Sequence, residues 1–522
     1  MTSPTAEAPA RQELPAGSGR RWLAATLLLI AATSAVRLFL AWLLPLAYGE
    51  SYYLASSRQL ALSWFDQPPL SLWLIAATRW LFGEDSTLLL RLPQLLCFAL
   101  TCWLLFRLTA RHWSGRAGFL AVLLLNLSAL FGMSGGLFVQ PDALFFLLWL
   151  LAAEALWRAF LRPAGGGAWG PWLGAGLWLG LALLAKYPAV LLGLGALVFA
   201  LTDPAARRWL WRPQPYAAAL LSLACLAPVF LWNAQHDWIS FGFQGGRAVE
   251  DAALDPLRML GGIAGQAAWV LPWIWLLLMV ALVRALAAGR RHRFAWYLVS
   301  LALPTLLLFT LVALWMPIGR HFHWQAPAYL VLMPLAGRLL DRWLAERPRL
   351  GRAARDGSVA LSLLTLVVLA GHVSQGWLTP LLPERLRGED DTKELVDWRP
   401  LAELLEAEGL LDRPDLFLVT NRWHQAGKLD AAVQGRLPVF CFCDDPRNLA
   451  FGRDSSAFLG EDAIVVANRE FLRDAAALYG DRFRAMEPWR SVTLGRSGRE
   501  EVVLTLWRAR GYGPAYPMPY GP

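Results

Sequence analysis

Lysine is nearly absent from this chain. Only Lys186, Lys393 and Lys428 contribute to its 48 basic residues, and the rest are arginine. Cysteine is sparse as well. Five in 522 residues is an odd set, which excludes a disulfide-built secreted scaffold. Charged residues make up 17% of the chain and hydrophobic ones 57%. Soluble domains carry nearer about 25% charge, so a string of soluble domains is excluded, and so is a disordered chain. There is no zinc-ligand spacing, phosphate loop, dinucleotide-binding glycine pattern or nucleophile elbow. No internal repeat supports an inverted-repeat transporter.

What is present is a series of apolar stretches of membrane-crossing character. They cover residues 22–46, 88–108, 117–135, 138–160, 172–185, 187–201, 216–232, 267–287, 295–316, 324–343 and 358–377. The expected architecture is a polytopic α-helical membrane protein of about eleven to thirteen spans. Placing the N-terminal tail in the cytoplasm and alternating puts 21 arginines on the inner segments. Seven Lys or Arg fall on the outer ones before the C-terminal region. This asymmetry is the positive-inside pattern, and it accounts for the net charge of +9 without nucleic acid. Three regions follow. Residues 1–21 form a disordered cytoplasmic tail, and residues 22–379 form the membrane domain, with long outer loops at 47–87 and 233–266. Residues 380–522 lie outside the cytoplasmic (inner) membrane, in a bacterial periplasm or its equivalent. There, short apolar runs at 416–420, 439–443, 463–467 and 502–507 read as strands of a compact α/β domain. Within the first outer loop, 51–64 and 70–82 read as interfacial helices split by Pro68 and Pro69.

Ionisable groups at the membrane edge are costly to bury and so are candidates for function. Glu50, just outside the first span, suits a general base, or is a solvated loop acid. Asp66 precedes two prolines that can aim a carboxylate, or it opens the next helix through an Asx-turn. Asp142 follows Pro141 at the mouth of the fourth span, where it either caps a helix or serves a site. Lys186 divides two short apolar helices and can hold a phosphate or snorkel to the interface. Arg320, His321 and His323 suit a phosphate, a divalent metal ligand set, or an interfacial belt. His236 lies in the mixed stretch 232–238. It lines either a site or a surface loop.

Several short motifs, taken in order, resemble one family. They are Glu50-Ser51-Tyr52-Tyr53, Phe65-Asp66-Gln67-Pro68-Pro69-Leu70, Arg91-Leu92-Pro93, Pro141-Asp142-Ala143, Ala185-Lys186-Tyr187, the stretch 232–243 and Trp324-Gln325-Ala326-Pro327. The pattern resembles bacterial GT-C glycosyltransferases, the set that includes protein O-mannosyltransferases and the aminoarabinose transferases of lipid A. The resemblance implies a GT-C fold with its active site under the first outer loop. It implies transfer of a sugar from a polyprenyl-phosphate donor to an envelope acceptor, a lipid, glycan or protein, with membrane lipid around the enzyme. Glu50, Asp66 and Asp142 are then the catalytic candidates. Lys186, Arg320, His321, His323, Gln67, Tyr53 and His236 are the substrate and phosphate candidates, and a divalent metal is a possible cofactor. The chain departs from the family twice, with Gly49 where an Asp usually precedes Glu50 and Gln67 where His is common. A lipid-linked sugar transporter or flippase and a non-catalytic relative are the alternative readings.

Overall fold

The computed structural model describes residues 16–84, 86–133, 135–163, 166–246, 254–315, 322–381, 383 and 390–521. Every one of the eleven apolar stretches falls on a helix or a helix pair. These are α1 (Ala16–Leu43), α4 (Thr87–His112), α5 (Gly115–Leu127) with α6 (Ala129–Met133), α7 (Asp142–Phe160), α8 (Trp169–Ala185) and α9 (Val190–Thr202). They continue with α10 (Pro213–Cys225) and α11 (Ala227–Gln235), α14 (Pro272–Ala288), α15 (Arg293–Val312), α16 (Ala326–Glu346) and α17 (Pro348–Gln375). Among the described residues, six helices are long and apolar enough to cross a membrane. The pair α10 and α11, bent by 45°, makes a seventh if counted as one span. The segments Gly115–Leu127, Trp169–Ala185 and Tyr187–Thr202 are apolar but shorter. The chain is a multi-pass membrane protein.

Small residues let the helices approach, as expected where packing rather than hydrophobicity joins them. A Cβ on Gly337 of α16 would lie 2.4 Å from the Ala117 carbonyl of α5. One on Gly176 of α8 would lie 2.4 Å from the Ala218 carbonyl of α10. Four of the arginines assigned to inner loops are met by acids. Arg111 and Arg158 share Glu154, Arg116 pairs with Asp341, and Arg293 reaches Asp203 at 2.9 Å.

The first long loop is largely helical. α2 (Tyr48–Ser56) is shorter than the expected 51–64, because 57–68 is turn and bend. α3 (Pro69–Phe82) starts at the second proline, where a missing N–H costs nothing. In the second, α12 (Ile239–Gly246) and α13 (Pro256–Val270) appear, and α14 begins only after Leu271, held at φ 77.

After α17 the chain builds a mixed five-stranded sheet, ordered β2-β1-β3-β5-β4. β1 (Leu416–Thr420) runs parallel to β2 (Val439–Cys441) and β3 (Asp462–Asn468). β5 (Arg499–Tyr512) is antiparallel to β3 and to β4 (Phe483–Arg496). Helices α18 (Arg399–Ala407), α19 (Trp423–Ala432) and α20 (Ala475–Tyr479) flank it. β4 was not evident in the sequence. It is an edge strand carrying Arg, Glu and Pro488, with a register shift beside the proline, so it lacks an apolar run. Cys441 and Cys443 are free thiols.

Candidate active site

The sheet unit sits on the first loop. Gly427 of α19 packs against α2 so closely that a Cβ there would meet the backbone of Tyr52 at 2.7 Å. Beside it, the Lys428 ammonium donates to the carbonyls of Leu46 and Val396, the latter at 2.9 Å. The Arg58 guanidinium bonds Asp430 of α19 at 2.6 Å and Glu84 at 2.6 Å. Residues from opposite ends of the sequence therefore enclose one region.

Glu50 is completely buried. Its carboxylate accepts from Arg91 Nε at 2.8 Å, Arg91 Nη2 at 2.6 Å, Ala47 N at 2.8 Å and Val139 N at 2.8 Å. Arg91 is buried as well. Its remaining N–H groups donate to the carbonyls of Ala41, Leu44 and Pro45 at the C-terminal end of α1, where a helix leaves carbonyls unpaired and attracts a cation.

Asp66 lies in the turn before Pro68 and Pro69, almost fully buried. Its carboxylate lies 3.9 Å from the Arg447 guanidinium, which stacks over the Trp423 ring at 4.0 Å. Gln244 Nε2 donates to the Asp66 carbonyl at 2.9 Å. Next to it, Phe65 stacks on Tyr520 at 4.5 Å and packs on Phe243 at 4.6 Å. The Asn448 side chain accepts from Phe65 N at 3.1 Å, and its backbone N–H donates to the Tyr52 hydroxyl at 3.1 Å. Burial first, and then the Asp66 charge, hold the Tyr52 phenol well above its ordinary pKa, so it acts as a neutral hydrogen-bonding group.

The second pair lies on membrane helices. Asp142 is the first residue of α7, and Lys186 is the extended residue that ends α8. Their side chains meet at 2.9 Å, nearly buried. Tyr187 follows Lys186 and is within electrostatic reach of Asp66. The Ser71 hydroxyl of α3 reaches the Ala185 carbonyl at 3.5 Å, so the two acidic centres belong to one neighbourhood.

The other candidates are placed as follows. Gln67 Nε2 donates to the Tyr53 hydroxyl at 3.4 Å. His236 stacks on Trp232 at 4.0 Å and its Nδ1 is 2.7 Å from the Trp232 carbonyl. His323 is half-buried before α16. Arg320 and His321 lie outside the described residues. Among the described residues, no group of three or more His, Cys, Asp or Glu side chains is placed to hold a metal ion. Arg447 and Asn448 escaped the sequence reading. They stand about 380 positions from Asp66 in a polar turn, and nothing local marks them.

The structure overlays on ArnT from Cupriavidus metallidurans in the apo state with a TM-score of 0.60, covering 92% of this chain and 97% of that one at 16% identity. The same protein bound to undecaprenyl phosphate gives 0.59. This chain has a GT-C fold. The archaeal oligosaccharyltransferase AglB from Archaeoglobus fulgidus, in complex with an inhibitory peptide and a dolichol-phosphate, also aligns, at TM-score 0.50 and 12% identity over 85% of this chain and 69% of that one. Residues 66–232 match the family described as dolichyl-phosphate-mannose-protein mannosyltransferase. Lipid A galacturonosyltransferase RgtD from Rhizobium johnstonii is 28% identical over 304 residues. That is 56% of this chain and 59% of that relative, so the match spans about three fifths of the curated protein's length. The family segment of this GT-C chain begins at Asp66 and includes Asp142 and Lys186. Arg447 and Asn448 lie beyond it.

Proposed function

We propose that this chain is a membrane glycosyltransferase that moves a sugar from a polyprenyl-phosphate donor to an envelope acceptor, with a lipid A-type glycolipid as the favoured acceptor. The supporting observation is the pairing of two centres. A carboxylate, Asp66, is fixed in a proline-bound turn under the sheet unit, and a membrane-edge cation, Lys186, is held by Asp142 nearby. The relatives support the donor and acceptor classes. ArnT has been solved with undecaprenyl phosphate, and the curated relative is named for lipid A.

In the proposed reaction the acceptor hydroxyl oxygen attacks the anomeric carbon of the donor sugar. Its proton passes to the Asp66 carboxylate, as in general base catalysis. The carbon–oxygen bond to the carrier phosphate breaks, and the electron pair leaves with polyprenyl phosphate. Lys186 stabilises the negative charge that develops there, while Asp142 keeps the ammonium aimed. A single displacement inverts the sugar configuration. Glu50 is assigned to the framework, because four hydrogen bonds occupy its oxygens. We place the site at the outer face of a bacterial inner membrane, with the N-terminus inside, on the strength of the arginine distribution.

The test is transfer by purified protein in nanodiscs, given undecaprenyl-phosphate-linked sugar and lipid A. Wild type yields glycosylated product and Asp66→Asn yields it about 10²–10⁴-fold more slowly. A wild-type protein that moves or binds donor without making product would establish the transporter or the non-catalytic reading instead.

A further inference from the structure

A half-open cavity lies beside the Asp66 turn, with neither Asp66 nor Lys186 in its lining. It is a cavity of about 530 Å³ between the bend after α2, the end of α11 and the turns of the sheet unit. This volume falls within the roughly 300–1,000 Å³ of small-ligand pockets. Its aromatic wall is Trp232, stacked on His236 and met edge-on by Phe451 at 5.4 Å. Gln59, Gln235 and Asn448 add amide groups. The His236 Nδ1 is committed to the Trp232 carbonyl, which leaves Nε2 as the ring's other polar atom. The charges lining the cavity from Arg58 and Asp430 are spent on one another and on Glu84.

The lining residues come from the loop, the end of α11 and the sheet unit. Trp232 and Gln235 stand at the very end of the bent α10–α11 pair and none comes from the six long apolar helices, so the space suits the water-facing part of a ligand and not a lipid tail. The half-exposed rings of His236 and Phe451, backed by buried Trp232 and bordered by amide groups, suit a sugar ring, whose C–H faces are apolar and whose edge carries hydroxyls. Asn448 also holds Phe65, the neighbour of Asp66, so the cavity wall is joined to the turn that carries the proposed base.

We infer that this cavity is a saccharide-binding site for the acceptor headgroup. The inference rests on the glycosyltransferase reading and specifies how the sheet unit takes part in it. The test is saturation-transfer NMR with the full-length protein in detergent and de-acylated lipid A saccharide as the probe. Wild type and Asp66→Asn should both transfer saturation to the sugar protons. Gln235→Ala with His236→Ala, both changes at partly exposed positions, should weaken binding about tenfold or more. Gly452→Trp, at the exposed rim, should block it. Trp emission and thermal melts establish that each variant is folded. Undiminished binding in these folded variants would overturn the inference, and so would absence of binding to wild type. Binding that follows the cavity variants while wild type makes no product would instead fault the transfer reaction and leave the saccharide site standing.

Discussion

Glu50 and Asp66 are both buried carboxylates close to an arginine, yet their surroundings set them apart. Glu50 takes both a bidentate guanidinium and two backbone N–H groups. Asp66 has its arginine at 3.9 Å, beyond hydrogen-bond range. Removing one partner of a buried pair strands the other charge at a cost of about 3–5 kcal/mol. Glu50→Ala and Arg91→Ala should therefore each lower the melting temperature sharply, with activity falling in step with the folded fraction. Asp66→Asn, which keeps the side chain's size and a hydrogen-bonding amide, should still fold and reduce turnover by about 10²–10⁴-fold, the usual contribution of a general base. At Gly49 a Cβ would meet only Gln140, at an ordinary 3.5 Å. Gly49→Asp should fold, and comparing its transfer rate with wild type measures what a carboxylate beside Glu50 contributes.

At the scale of elements, the contact between α2 and α19 decides how the sheet unit closes over the loop. Gly427 permits it, because any larger residue would push α19 off the Tyr52 backbone. Gly427→Val should cost about 1–3 kcal/mol through overpacking and increase protease sensitivity of the sheet unit. Lys428 makes this contact depend on pH. Burial, only partly offset by the Glu50 charge, pulls its pKa down from 10.5 to about 8. The unfolded chain then binds more protons than the folded one between about pH 8 and 10.5, so this residue's contribution to stability rises as pH increases through that window. The melting temperature of wild type should rise relative to Lys428→Met over that range, read by differential scanning fluorimetry in detergent. A difference that stays flat would rule out the titration.

For the whole molecule, the arginine asymmetry predicts sidedness. With an impermeant thiol reagent, a cysteine placed at Arg352 should label in inverted vesicles and not in intact spheroplasts, and one at Ser497 should label in spheroplasts and not in inverted vesicles. Much of this scale was legible in one chain. All eleven apolar stretches fall on helices, and four of the arginines assigned to inner loops pair with Glu154, Asp203 and Asp341. Their length and charge asymmetry are properties of the local sequence. The breaks between α5 and α6 and between α10 and α11 were less legible, since an apolar run reads the same whether straight or bent. β4 was illegible because an exposed edge strand needs no buried side.

Composition and periodicity alone determined that this chain would build a helical membrane bundle followed by a small α/β unit, since partitioning from water acts on each segment by itself. The sequence also picked out Asp66, Asp142 and Lys186, because ionisable groups at a membrane edge stand out against apolar neighbours. Which acid takes a bidentate guanidinium and which faces an arginine at 3.9 Å was decided only in three dimensions. The same holds for the meeting of Lys186 with Asp142, and for the arrival of Arg447 and Asn448 from the far end of the chain. Those contacts depend on how separate elements pack, and packing brings together residues whose spacing along the chain carries no trace of the encounter.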